Sequence, residues 1–208
     1  MNWKSAWVML ATLMVISIVS QPAQSQTPDL NVTINSIPKN AEEFGNLRDQ
    51  IANTPQGGIV MLVLALKLYG ENEKEGLAAM VMALDRSQLE ESGAANAYMG
   101  FLPGRSVMYH LNRLGDTLKY LPNSYILGTG PDNGYALGGG PYRFEVTRNR
   151  YSGEESDGEV KYFIKSTGAD SPRPVRVVRN NRGVWKAKEF SSIVVGVRPP
   201  AQNVDDNI

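Results

Sequence analysis

Few side chains in this sequence could carry chemistry. His110 is the only histidine and there is no cysteine. Disulfides, thiolate metal sites, iron–sulfur clusters, thiol catalysis and a multi-histidine metal site are therefore closed to a single chain. A catalytic triad needs its base between nucleophile and orienting acid. On a helix, Ser106 shares the face of His110, whereas Asp116 lies well around it, and no Gly-x-Ser-x-Gly elbow is present. His110 is read as a helix residue, not a general base. The glycine-rich stretch 128–140 leads through Gly138-Gly-Gly into a strand and carries no Gly-Lys-Ser/Thr ending, so it departs from the phosphate-cradle patterns. Its length keeps it as a candidate binding loop. Glu154-Glu-Ser-Asp-Gly-Glu159 clusters oxygen ligands without the regular spacing of a calcium loop, and reads as a solvated turn. A carboxylate pair for glycoside hydrolysis is set in space rather than in sequence, so no pair can be named.

Charge is the more informative pattern. The chain is neutral overall, which argues against nucleic acid as a partner. Residues 26–100 carry five Lys and Arg against ten Asp and Glu, net −5, and residues 101–208 carry 15 against 11, net +4. Arg173, Arg176, Arg179, Arg182, Lys186 and Lys188 fall on one expected β-hairpin. If they share a face, Arg173, Arg176, Arg179, Arg182 and Lys186 form a surface for an anionic group, such as a phosphate-bearing glycan, a lipid headgroup or, against the overall charge, nucleic acid. The other reading is that acidic helices or solvent neutralise them. Trp185 and Tyr142 beside them suit core anchors as well as stacking platforms.

The elements that position these residues follow from patterning. Residues 1–25 have the form of a secretory signal peptide: Lys4, an apolar stretch from Ala6 to Val19, Pro22, and small residues at Ala23 and Ser25. Export to a periplasm or the extracellular space is the expectation, with an uncleaved anchor as the alternative. Residues 26–36 form a polar arm with a possible short strand at Asn31-Val-Thr-Ile-Asn. Asn40 caps a first helix, and Glu43 three residues later completes a capping-box pattern. Thr54-Pro55 opens a second helix whose stretch 59–66 is apolar without interruption. A segment hydrophobic all round must be buried, and this one is too short to cross a membrane. It is expected to end at Tyr69-Gly70. A third helix over 73–84 completes an apolar hairpin, and a fourth is expected over 106–120. Beyond Asn123, Tyr125-Ile-Leu reads as a short strand. Tyr142/Phe144/Val146 and Val160/Tyr162/Ile164 alternate as half-buried strands. Residues 175–179 and 184–190 flank Asn180-Asn-Arg-Gly183, a hairpin signal, and 191–197 extends the last strand. Residues 201–208 are expected to be a disordered tail.

Helices first and strands afterwards give an α+β fold, with N-terminal helices including a buried apolar hairpin packed on a C-terminal antiparallel sheet. Several strings occur together: Thr54-Pro-Gln-Gly-Gly58, Gly128-Thr-Gly-Pro-Asp-Asn-Gly-Tyr135, Gly168-Ala-Asp-Ser-Pro-Arg-Pro-Val175, Asn180-Asn-Arg-Gly-Val-Trp-Lys-Ala-Lys-Glu-Phe-Ser-Ser192 and Val195-Gly-Val-Arg-Pro-Pro200. In this combination the chain resembles a family of bacterial domains of unknown function. The resemblance spans 37–200 and implies one complete domain. It implies no activity, cofactor or catalytic residue.

The functional expectation is an exported, non-catalytic domain that binds an envelope protein or an anionic ligand through its β half, with no cofactor or metal. The alternatives are a carboxylate-dependent hydrolase acting on cell-envelope material and a structural or chaperone-like accessory protein.

Overall fold

The computed structural model describes residues 30–202. The signal-peptide segment 1–25, the start of the polar arm and residues 203–208 of the tail lie outside them. Twelve regular elements follow in chain order. They are β1 (Val32–Ile34), α1 (Ala41–Ile51), α2 (Pro55–Glu71), α3 (Glu73–Ala83), β2 (Leu89–Glu91), β3 (Phe101–Pro103) and α4 (Arg105–Leu114). Then come β4 (Tyr142–Phe144), β5 (Val146–Thr147), β6 (Glu159–Ile164), β7 (Arg173–Arg179) and β8 (Trp185–Glu189). The architecture is α+β: four helices precede an antiparallel sheet of order β5-β6-β7-β8, and two small ladders, β1-β4 and β2-β3, complete it.

The starts of α1, α2 and α3 are built by side-chain oxygens. Asn40 Oδ1 accepts from Glu43 N at 2.9 Å, while Glu43 Oε2 accepts from Lys39 N. Thr54 Oγ1 accepts from Gly57 N at 3.2 Å, with Pro55 in the first turn where its missing N–H costs nothing. Asn72 does two jobs. Its N–H donates to Leu68 O and closes α2, and its Oδ1 accepts from Glu75 N and opens α3. α2 therefore runs through Gly70 and ends at Glu71, past the expected stop, because a cap one residue long is available there.

α2 is buried from Ile59 to Leu66, with α3 packed along it and β6, β7 and β8 against another side. Among the described residues no helix is long and apolar enough to cross a membrane. Two glycines permit the packing. A Cβ on Gly76 would stand 2.0 Å from Tyr69 Cα, and one on Gly58 would stand 2.7 Å from Trp185 O. The α2–α3 and α2–β8 distances are thus closer than any side chain allows.

The strand parities hold for β6, whose Val160, Tyr162 and Ile164 are buried, and for the β7–β8 hairpin, closed by Gly183 at φ 80°. Three expectations need correction. Tyr125-Ile-Leu is not a strand: a 3-10 turn spans Pro122–Tyr125, and the Tyr125 hydroxyl donates to Ile193 O at 2.9 Å. Residues Ser191–Val194 also form a 3-10 turn instead of extending β8, which buries Ile193 and Val194. The fourth helix stops at Leu114 and continues as a 3-10 turn over Gly115–Lys119. The 142–146 alternation is real but divided, since β4 pairs with β1 and β5 with β6.

Candidate functional site

A cleft of about 800 Å³ opens where four segments meet. That volume suits a small-molecule ligand. One wall is the end of α1 with Arg48, Asp49 and Asn53. Another is the last turn of α3 with Val81, Met82 and Leu84, continuing into Asp85 and Arg86. The β2–β3 hairpin adds Leu89, Tyr98, Met99 and Phe101, and the β7–β8 turn adds Asn180, Arg182, Val184 and Lys186.

Backbone bonds to β8 fix these walls. Trp185 N donates to Ala52 O at 2.7 Å, tying the end of α1 to the strand, and Asp85 N donates to Ala187 O at 2.8 Å, tying the end of α3. Lys186 sits between these two ties. Its side chain alternates away from buried Trp185 and Ala187, and Nζ donates to Met82 O at 2.8 Å. Met82 lies in the last turn of α3, which has no basic residue of its own. Lys186 therefore supplies the cation that a helix C-terminus favours. Burial, helped by repulsion from Arg48 and opposed by Asp85, lowers its pKa to about 8. Asp85 itself is held ionised. Burial pushes its pKa up, but hydrogen bonds from the hydroxyl and N–H of Ser87 outweigh that, so it lies below the ordinary value.

The other cations of the cleft differ in their commitments. Arg48 is held on Asp49 through Nε and Nη2. Arg86 lies 4.3 Å over the Phe101 ring and bonds Leu89 O and Glu91. Arg182 enters no ion pair among the described residues, and its turn is set by Asn180 Oδ1, which accepts from Arg182 N and Val184 N. Arg182 and Lys186 thus face the cleft without a carboxylate partner.

Arg182 and Lys186 are the two members of the expected basic set that the cleft brings together. Arg176 shares the outer face of the hairpin with Lys186 but lies farther from the turn and outside the cleft lining, bonding Glu159 at 3.0 Å and Glu189 at 3.0 Å, with Lys188 also on Glu159 at 2.9 Å. These contacts hold Glu159 below the usual carboxylate range, the bond from Lys188 foremost. Arg179 covers the Trp185 ring at 5.6 Å. Arg173 begins β7 and buries its Nε without a hydrogen-bond partner among the described residues. Arg48, Arg86 and the apolar wall carried no sequence signal, because they come from three separate segments.

The other sequence candidates are committed to structure. Asp116 pairs with Lys119 and not with His110, and Ser106 is exposed. In the acidic turn, Glu154 pairs with Arg148 and Glu155 accepts from the Tyr162 hydroxyl at 2.7 Å. The glycine-rich loop is clamped by Tyr135. That side chain is buried, stacks on Tyr120 at 5.5 Å and donates its hydroxyl proton to Arg198 O.

The β2–β3 hairpin has one unusual feature. Tyr98 and Phe101 exchange both backbone hydrogen bonds around a two-residue turn, Met99 at φ 51° and Gly100 at φ 81°. Such turns favour Asn-Gly, so a methionine at the first position is strained. Its side chain is 80% exposed at the cleft.

Neither a curated protein nor a solved structure matches the chain. Residues 36–201 match the family described as Domain of unknown function (DUF6935), in agreement with the resemblance carried by the C-terminal strings, and the chain belongs to that family.

Proposed function

We propose that this is an exported, non-catalytic binding domain that takes a small anionic ligand in the cleft between α1, α3 and the β7–β8 turn. One observation carries the reading: Arg182 and Lys186 both line an 800 Å³ cleft, and among the described residues neither forms an ion pair. The remaining basic side chains of that hairpin are used up on Glu159, Glu189 or the Trp185 ring, apart from Arg173 at the start of β7. A bound anion would accept from Arg182 and from the Lys186 ammonium, and hydrogen bonds to charged groups are the strong ones. The carboxylates of the cleft, Asp49 and Asp85, already accept hydrogen bonds from Arg48 and Ser87, which suits fixed acceptors better than a general acid and its base. Export rests on the pattern of residues 1–25.

The test is an NMR titration of 26–208 with inorganic phosphate, methyl phosphate and acetate. Amide shifts should concentrate on 180–187 and 82–86, and Arg182→Glu should abolish them. Absence of any saturable shift at those amides, or an Arg182→Glu protein that titrates like the wild type, would overturn the reading.

A further inference from the structure

The apolar half of the cleft has no use in binding a bare anion. Leu89, Tyr98, Met99 and Phe101 of the β2–β3 hairpin line it and are partly or fully exposed, so a phosphate or acetate would leave most of the cavity filled with water. Met99 adds an independent observation. A strained left-handed position usually falls to Asn or Gly, and an exposed methionine there gains nothing from the folded protein alone. Methionine is the side chain that adapts to irregular apolar partners. Held on the turn at the cleft, it is placed to cover whatever lies against Leu89 and Phe101. Strain retained at such a position fits a role in a binding site.

Resting on the anion-binding reading above, we infer that the ligand is a single-chain anionic amphiphile, its head on Arg182 and Lys186 and its apolar chain lying along Leu89 and Phe101 beside Met99. The head would accept from the Lys186 ammonium and the Arg182 guanidinium. The chain would displace water from the β2–β3 wall. Arg48 and Arg86, already paired, border the site and disfavour a cationic head.

The experiment is a calorimetric titration with alkyl phosphates of increasing chain length, kept below their micellar concentrations. Methyl, butyl and octyl phosphate should bind with rising affinity, up to about fourfold for each methylene that becomes fully buried. Octanol should bind far more weakly than octyl phosphate. Met99→Asn, which suits the turn better, should keep the fold and lower the octyl-to-methyl affinity ratio about tenfold, the loss expected for one apolar side chain no longer buried. If methyl and octyl phosphate bind equally, the amphiphile inference fails while the anion reading stands. If neither binds, both fail. Octanol binding as tightly as octyl phosphate would also overturn it. So would recruitment to phosphatidylglycerol vesicles without binding of free octyl phosphate, which would assign the face to a membrane surface.

Discussion

Lys186→Met tests the electrostatics of the cleft without emptying it. Methionine preserves the stem and removes the ammonium. In the folded protein the lysine titrates near 8 and in the unfolded chain near 10.5. At ~1.4 kcal/mol per unit, that gap is worth about 3 kcal/mol against the folded state wherever both forms are charged. The hydrogen bond to Met82 O returns about 1 kcal/mol of this, so Lys186→Met should be more stable than wild type by about 2 kcal/mol at pH 7. The sign of the pH dependence follows. Below pH 8 folded and unfolded chains both hold the proton and the full penalty is present. Between 8 and 10.5 the unfolded chain holds a proton that the folded chain has released, so wild-type stability rises with pH relative to the variant. Urea melts of both proteins at pH 7, 8, 9 and 10 would measure it. Burial also raises the pKa of Tyr125 and takes Tyr162 to about 12, which lowers stability at alkaline pH, but equally in both proteins. The stability difference should therefore shrink steadily above pH 8. A difference that stays flat from pH 7 to 10 would refute the buried-ammonium argument. The same linkage makes anion affinity fall above pH 8, as the lysine loses its charge.

Two further perturbations separate packing and neighbouring charge from the cleft. Gly76→Ala should cost about 3 kcal/mol or more in a urea melt, because its Cβ meets the Tyr69 backbone and the helices must separate. Gly93→Ala, with open space around its Cβ, serves as the matched control and should change stability little. Arg176→Gln should cost about 1 kcal/mol from its partly exposed pairs with Glu159 and Glu189. Phosphate titration of that variant should match wild type, and a loss of binding would move the site along the hairpin to the Glu159 end.

The fold was legible where local chemistry decides structure. Asn40 and Thr54 announce helix starts because a side-chain oxygen satisfies a backbone N–H three residues on. Val160, Tyr162 and Ile164 announce a strand because one face is buried. Tyr125-Ile-Leu failed because three apolar residues carry no period, and the hydroxyl that anchors the turn finds its acceptor at Ile193. The cleft was legible only in part. Arg182 and Lys186 could be nominated from their hairpin, but so could Arg176, whose fate depends on Glu159 across one ladder and Glu189 across another. The residues opposite are brought in by Trp185 N–Ala52 O and Asp85 N–Ala187 O. Backbone bonds of that kind leave no mark on side-chain identity.

The single residue Asn72 between α2 and α3 has a kinetic consequence. The hairpin it closes is the most local long contact in the protein, while β1 must wait for β4 and α2 for β8 before their partners exist. Loop closure favours the local pair first. During synthesis the two helices can dock as soon as Ala83 has emerged, with the face of α2 meant for β6, β7 and β8 still bare. That surface stays bare until β6, β7 and β8 have followed, the last ending at Glu189, so this hairpin is the segment most exposed to misassembly before folding is complete.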